Sequence, residues 1–171
     1  MAEDMTAARE KVCAALREQR LPRWEQLPDL ELYMDQVLSL LERFLSAAPG
    51  FEEKGITASM VNNYVKLGVM PPPVKKRYTR EHLAYLVMIC VLKASLPMGA
   101  IRCLLASETA AASTGEVYDR FCAMYEAEGA RAAGDHESLR EEGAAPVFRS
   151  ALRARAEQAL ALGMSQALEE K

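Results

Sequence analysis

Aromatic side chains make up only 6% of the 171 residues, with one tryptophan, Trp24, and the histidines are two, His82 and His136. Ala, Leu, Glu, Arg and Met are plentiful instead, a mixture that favours helix over sheet. The four cysteines, Cys13, Cys90, Cys103 and Cys122, are far apart and form no Cys-x-x-Cys pair. No metal site is therefore expected. Each falls among apolar residues on an expected helix, where a free thiol acts as a small hydrophobe in a reducing compartment. There is no glycine-rich phosphate loop and no nucleophile motif, and neither histidine has a catalytic setting. These absences point away from an enzyme and from a bound cofactor. The longest strongly apolar stretch, 83–92, is about half of what a membrane-spanning helix needs, and Glu3 and Asp4 open the chain without a secretory pattern. A cytoplasmic protein without membrane attachment is the expectation.

Hydrophobic residues make up half of the chain, enough for a compact helical domain with an appendage. The net charge of -3 is unevenly spread. Between Lys54 and Ala106 eight cations face the single acid Glu81, a local charge of +7. Residues 1–53 hold six basic and eleven acidic side chains, and 107–171 hold seven and twelve, so each flank carries -5. A basic middle enclosed by acidic flanks is the pattern of a localised phosphate-binding face, because attraction depends on local potential.

Asp4 can cap a first helix to about Glu18, with Ala8, Val12, Ala15 and Leu16 along one stripe. Pro22 and Pro28 make 21–30 an extended strap held down by Trp24 and Leu27. Asp29 then caps a second helix to about Ser46, on which Tyr33, Val37, Leu40, Leu41, Phe44 and Leu45 recur at helical spacing. After a loop through Ala48 to Gly55, Thr57 is the N-cap of a short helix, 58–67, stopped by Gly68. Pro71, Pro72 and Pro73 forbid helix and force an extended excursion to Tyr78. Thr79 caps a helix over about 80–94 that is apolar on nearly every face, and Pro97 opens another to about Ser107. Ser113-Thr114-Gly115-Glu116 is a capping box leading into one more helix. Residues 126–145, without bulky apolar side chains, read as a linker before a final Ala-rich helix from Pro146 to Leu168. That helix suits packing against a second copy of the chain or back on the core.

In the short helix Ser59, Asn62, Asn63 and Lys66 share one face, while Val61, Tyr64 and Val65 point the other way. An apolar back with a Ser, Asn, Asn, Lys front suits the major groove, where asparagine can pair bidentately with adenine. These four are the candidate base contacts. Lys75, Lys76 and Arg77 end the proline-rich excursion as the tip of a hairpin-like wing, placed to hold phosphates and set register. Arg80 opposes the macrodipole in the first turn of its helix, a placement that a phosphate partner would rationalise. Thr57, Tyr64 and Tyr78 complete the expected backbone contacts.

From Met60 to Leu105 the chain resembles the DNA-binding half of the mercury-resistance regulator (MerR) family. The residues that carry the likeness are Val61, Tyr64, Gly68, Val69, Pro71, Pro72, Arg77-Tyr78-Thr79, Leu83, Leu86, Ile89, Ile101, Leu104 and Leu105. The resemblance implies that Arg77 and Tyr78, at the exit of the wing, contact the DNA backbone. Asn62 stands where the family usually carries arginine, and the connection before the short helix is longer, so no operator sequence carries over. That family's dimerisation helix and effector site are not evident. A wider stretch, including Leu21 to Pro28 and Leu32 to Gln36, looks like a bacterial family known only as a domain of unknown function.

The expectation is an all-α protein: a helical domain over 1–107 containing a winged helix-turn-helix at about 54–106, and a C-terminal extension over 108–171 for dimerisation or ligand binding. Its expected function is transcription regulation through double-stranded DNA, as a homodimer. The competing expectation is a protein-interaction module that uses the same fold without DNA.

Overall fold

The most apolar segment of the chain becomes its most enclosed helix. In the computed structural model every residue from His82 to Cys90 is buried, inside a helix that spans Arg80–Leu92. The structure describes residues 2–46, 55–137 and 145–169. In chain order its helices are α1 (Ala2–Glu18), α2 (Met34–Leu45), α3 (Ala58–Lys66), α4 (Arg80–Leu92), α5 (Met98–Ala111), α6 (Thr114–Glu137) and α7 (Ala145–Glu169), with one 3-10 turn at Trp24–Gln26. Extended pairing among the described residues is confined to two isolated antiparallel bridges, Leu32 with Tyr78 and Val74 with Arg77. The protein is all-α, as its composition implies. Among the described residues no helix is long and apolar enough to cross a membrane.

α4 packs against both α2 and α6, α1 lies along α6, and α7 lies along α5. One core joins Val37, Leu41 and Leu45 of α2, Val61 and Tyr64 of α3, Ile101 and Leu105 of α5, and Val117, Tyr118 and Cys122 of α6. Burial of each large apolar side chain contributes about 1.5–3 kcal/mol, and this stabilisation holds the short α3 in place. The division expected at 107–108 falls inside α5, which continues to Ala111, and α6 beyond it lines the same core. Cys13, Cys90 and Cys122 are buried and Cys103 is half-buried, all four as free thiols.

Several elements depart from expectation for identifiable reasons. α2 begins at Met34 because Leu32 is held extended, exchanging backbone hydrogen bonds of 2.8 and 2.9 Å with Tyr78. Tyr33 is the N-cap, its amide donating to Gln36 Oε1 at 2.9 Å, and Asp29 instead pairs with Arg80 at 3.6 Å. On α1 the buried position is Cys13, while Val12 is 52% exposed. α6 runs through 126–137, where a linker was expected. Ala, Glu and Arg are strong helix formers, and the small residues there are the contact with α1. A Cβ at Gly129 would lie 2.0 Å from Gln19 Nε2, and that amide donates to Tyr125 O at 2.9 Å. The loop expected from Ala48 to Gly55 lies, but for Gly55 itself, outside the described residues, as does 138–144.

Candidate nucleic-acid interface

α3 is bounded by caps at both ends. Thr57 Oγ1 accepts from the Met60 amide at 3.3 Å. At the other end the Gly68 amide donates to Val65 O and the Val69 amide to Tyr64 O, both at 3.0 Å, with Gly68 at φ +67°. This is the paired bonding of a Schellman motif, which needs a left-handed residue at the position of Gly68. Val69 and Met70 then bury themselves, at 3% and 4% exposure, and fix where the chain leaves the helix.

Val61 and Tyr64 face the core, whereas Ser59, Asn62, Asn63 and Lys66 are all exposed. None of these four side chains has a hydrogen bond or ion pair within the described residues. They are polar groups on a fixed helix with their bonding capacity turned to solvent. Arg102, on α5, adds a cation at the same end of α3, its Cδ 4.0 Å from the Cβ that Gly68 lacks. Its charge was plain in the sequence, but its position depends on how α5 packs across the end of α3.

The hairpin-like excursion reduces to a two-residue turn. The Arg77 amide donates to Val74 O at 2.9 Å, and Lys75 and Lys76 between them sit at φ +50° and +62°. Left-handed conformation at both central positions defines a type I′ turn, which asparagine and glycine usually occupy. Lysine there costs on the order of 1 kcal/mol or more per residue. Both lysines are exposed. Arg77 is half-buried, its guanidinium 3.6 Å from the ring centroid of Tyr33. Tyr33 was expected on the apolar stripe of α2, yet it is 51% exposed and serves as the platform for Arg77.

Three expected backbone contacts are placed differently. Tyr64 and Tyr78 are 4% and 3% exposed, so both are core residues that position the surface without reaching a phosphate. Burial, and next the nearby Cys90, push the Tyr64 hydroxyl up to about 12, and burial raises Tyr78 as well. Arg80 is engaged internally: it lies 5.5 Å from the Trp24 ring centroid and its two Nη atoms pair with Glu25 at 3.4 Å and Asp29 at 3.6 Å, while its buried Nε has no hydrogen-bond partner among the described residues. Those acids explain a cation at a helix N-terminus without any phosphate. His82 is 5% exposed. Its Nδ1 accepts from the Thr79 amide at 3.0 Å and so caps α4. A cleft of about 640 Å³ nearby is lined by Trp24, Asp29, Glu31, Arg80, Glu81 and Thr114, among others. Its three carboxylates against one neutralised arginine make it unsuited to a phosphate. Among the described residues no group of three or more His, Cys, Asp or Glu side chains could hold a metal ion.

The family model described as a domain of unknown function, DUF1836, matches residues 22–127, more than half of the chain, and the chain belongs to that family. No curated protein and no solved structure matches it. The matched residues include α2 to α5 and most of α6, so the strap, α3, the basic turn and the core beneath them fall within one family unit.

Proposed function

We propose that this member of the DUF1836 family is a transcription regulator that binds double-stranded DNA through α3 and the basic turn. α3 enters the major groove, with Ser59, Asn62, Asn63 and Lys66 toward the base edges. The 71–78 segment acts as a minimal wing, with Lys75 and Lys76 on phosphates and Arg77 held beside them by Tyr33. Thr57 stays at the helix start, where the exposed amides of the first turn favour an anion. The order of these elements, with the residues shared with the mercury-resistance regulators, supports a winged helix-turn-helix reading in which the wing is a turn.

The observation that carries the proposal is the pairing of an unpartnered polar helix face with two lysines kept in a strained backbone conformation. Strain of this kind persists where the surrounding structure over-determines it, and it concentrates at functional sites. The test is binding of fragments selected from a random duplex pool, measured by fluorescence anisotropy across a salt series. Asn62→Ala with Asn63→Ala and Lys66→Ala should weaken binding to the selected sequence at least tenfold, since a good bidentate base pair contributes about 1–3 kcal/mol. Lys75→Ala with Lys76→Ala should weaken all duplexes alike and lower the salt slope by about two. Duplex affinity indifferent to salt and to all five substitutions would instead favour a protein-docking module.

A further inference from the structure

α7 is turned inside out. Its buried and half-buried residues are Pro146, Ser150, Gln158, Ala161, Leu162, Ser165 and Leu168, of which Leu162 and Leu168 are the large apolar side chains. Its attachments are polar: Ser150 Oγ lies 3.1 Å from His136 Nε2, Arg153 pairs with Asp135 at 2.6 Å, and Gln158 Nε2 donates to Ser95 O at 3.3 Å. Outward it carries Phe148, Leu152, Leu160 and Met164, 69%, 71%, 60% and 68% exposed. A helix lying on a single soluble molecule has the opposite polarity. The four side chains expose on the order of 500 Å² per copy, the size of the largest apolar patches that monomers carry, which are often functional, and more than half of the ~800 Å² each partner gives to a standard interface.

We propose that this row is the contact between two copies of the chain, related by a two-fold axis at Ala156. Phe148, Leu152, Ala156, Leu160 and Met164 stand at unbroken four-residue spacing, symmetric about the alanine. Laid antiparallel with Ala156 against Ala156, Phe148 meets the second copy's Met164 and Leu152 meets its Leu160. That reciprocity is what an isologous interface requires. Rows at this spacing interdigitate where helix axes cross at about -50°, and alanine at the crossing permits close approach. The interface does not depend on the DNA proposal, but it would supply the second α3 that a two-fold operator needs.

Sedimentation velocity on the full chain without DNA tests it. The parent should run at twice the monomer mass at micromolar concentration. Leu152→Glu with Leu160→Glu, at exposed positions, should run as a monomer with unchanged circular dichroism, and its thermal midpoint should no longer depend on protein concentration. Under mild oxidation Ala156→Cys should form a covalent dimer that the parent does not. A parent that stays monomeric at 100-fold higher concentration would leave the row to a different protein and overturn the proposal. So would a dimer untouched by the glutamates, or an Ala156→Cys chain that does not cross-link. DNA affinity of the monomeric double variant is read separately: retained weak binding would separate failure of this interface from failure of the α3 surface.

Discussion

Lys75 and Lys76 occupy backbone positions that almost any other pair of side chains would also find costly, at φ +50° and +62°. A turn selected for stability alone would carry Asn-Gly, whose residues reach left-handed conformation at little cost. Lys75→Asn with Lys76→Gly should therefore raise the free energy of unfolding by about 1 kcal/mol in urea melts. The same variant should bind duplex DNA more weakly, with a salt slope lower by about two. A gain in stability without loss of affinity would show that the lysines are tolerated and not used. Gly68 makes the complementary case, since at φ +67° it is required by geometry. Gly68→Ala should lose about 1 kcal/mol and slacken the end of α3, seen as faster amide exchange at Val69.

Two glycines inside α6 separate intrinsic propensity from packing. The Cβ missing from Gly134 would meet nothing within 4 Å, whereas that of Gly129 would meet Gln19 Nε2 at 2.0 Å and Leu16 O at 2.7 Å. Gly134→Ala should stabilise the protein by about 0.5–1 kcal/mol through helix propensity. Gly129→Ala should destabilise it by about 2 kcal/mol despite the same gain, because α1 must move away. Thermal midpoints shifting in the same direction for both would contradict the packing of α1 on α6. These glycines also explain why 126–137 was illegible in the sequence: a stretch of Ala, Gly, Glu and Arg looks coreless, yet small residues are what a close helix contact needs. Several local signals read correctly, though not Asp29, which was expected to cap α2. Thr57 and Gly68 bound α3 as expected, and Ser113 and Glu116 cap each other, with the Ser113 amide donating to Glu116 Oε2 at 3.0 Å. Partners distant along the chain did not read. Arg80 finds Glu25 across 55 positions, Tyr33 passed for a core residue until Arg77 came over it, and His82 gave no sign that it would cap α4 from a buried site.

Among the described residues the groups displaced furthest from their ordinary titration lie under α3 and along α6, and nearly all are displaced in one direction. Burial pushes the Cys90 thiol up to about 11, opposed by Lys93, and the Tyr64 hydroxyl to about 12. Burial also raises Tyr78, Tyr118, Tyr125 and Cys122. For each, the folded state holds its proton where the unfolded chain has released it, so stability falls as pH rises. The contribution is complete below the ordinary thiol value of 9.0 and lost as pH climbs through about 11 and 12. On the acid side, hydrogen bonds from Ser113 hold the Glu116 carboxyl below the carboxylate range, a fully exposed cap whose loss matters only once it protonates. Urea midpoints should therefore be flat from neutrality to about pH 9 and fall steeply above it. Tyr64 of α3 rests near Cys90 of α4 as Tyr118 rests near Cys122 within α6. The nine-residue α3, however, has Val61 and Tyr64 as its buried residues whereas α6 runs for 24 residues, so alkali should loosen α3 first. Amide exchange at pH 10 should accelerate in α3 ahead of α6, and Tyr64→Phe, which cannot ionise, should remove part of the alkaline fall. Midpoints that stay level to pH 11, or α3 and α6 loosening together, would mean that Tyr64 does not hold α3 to the core.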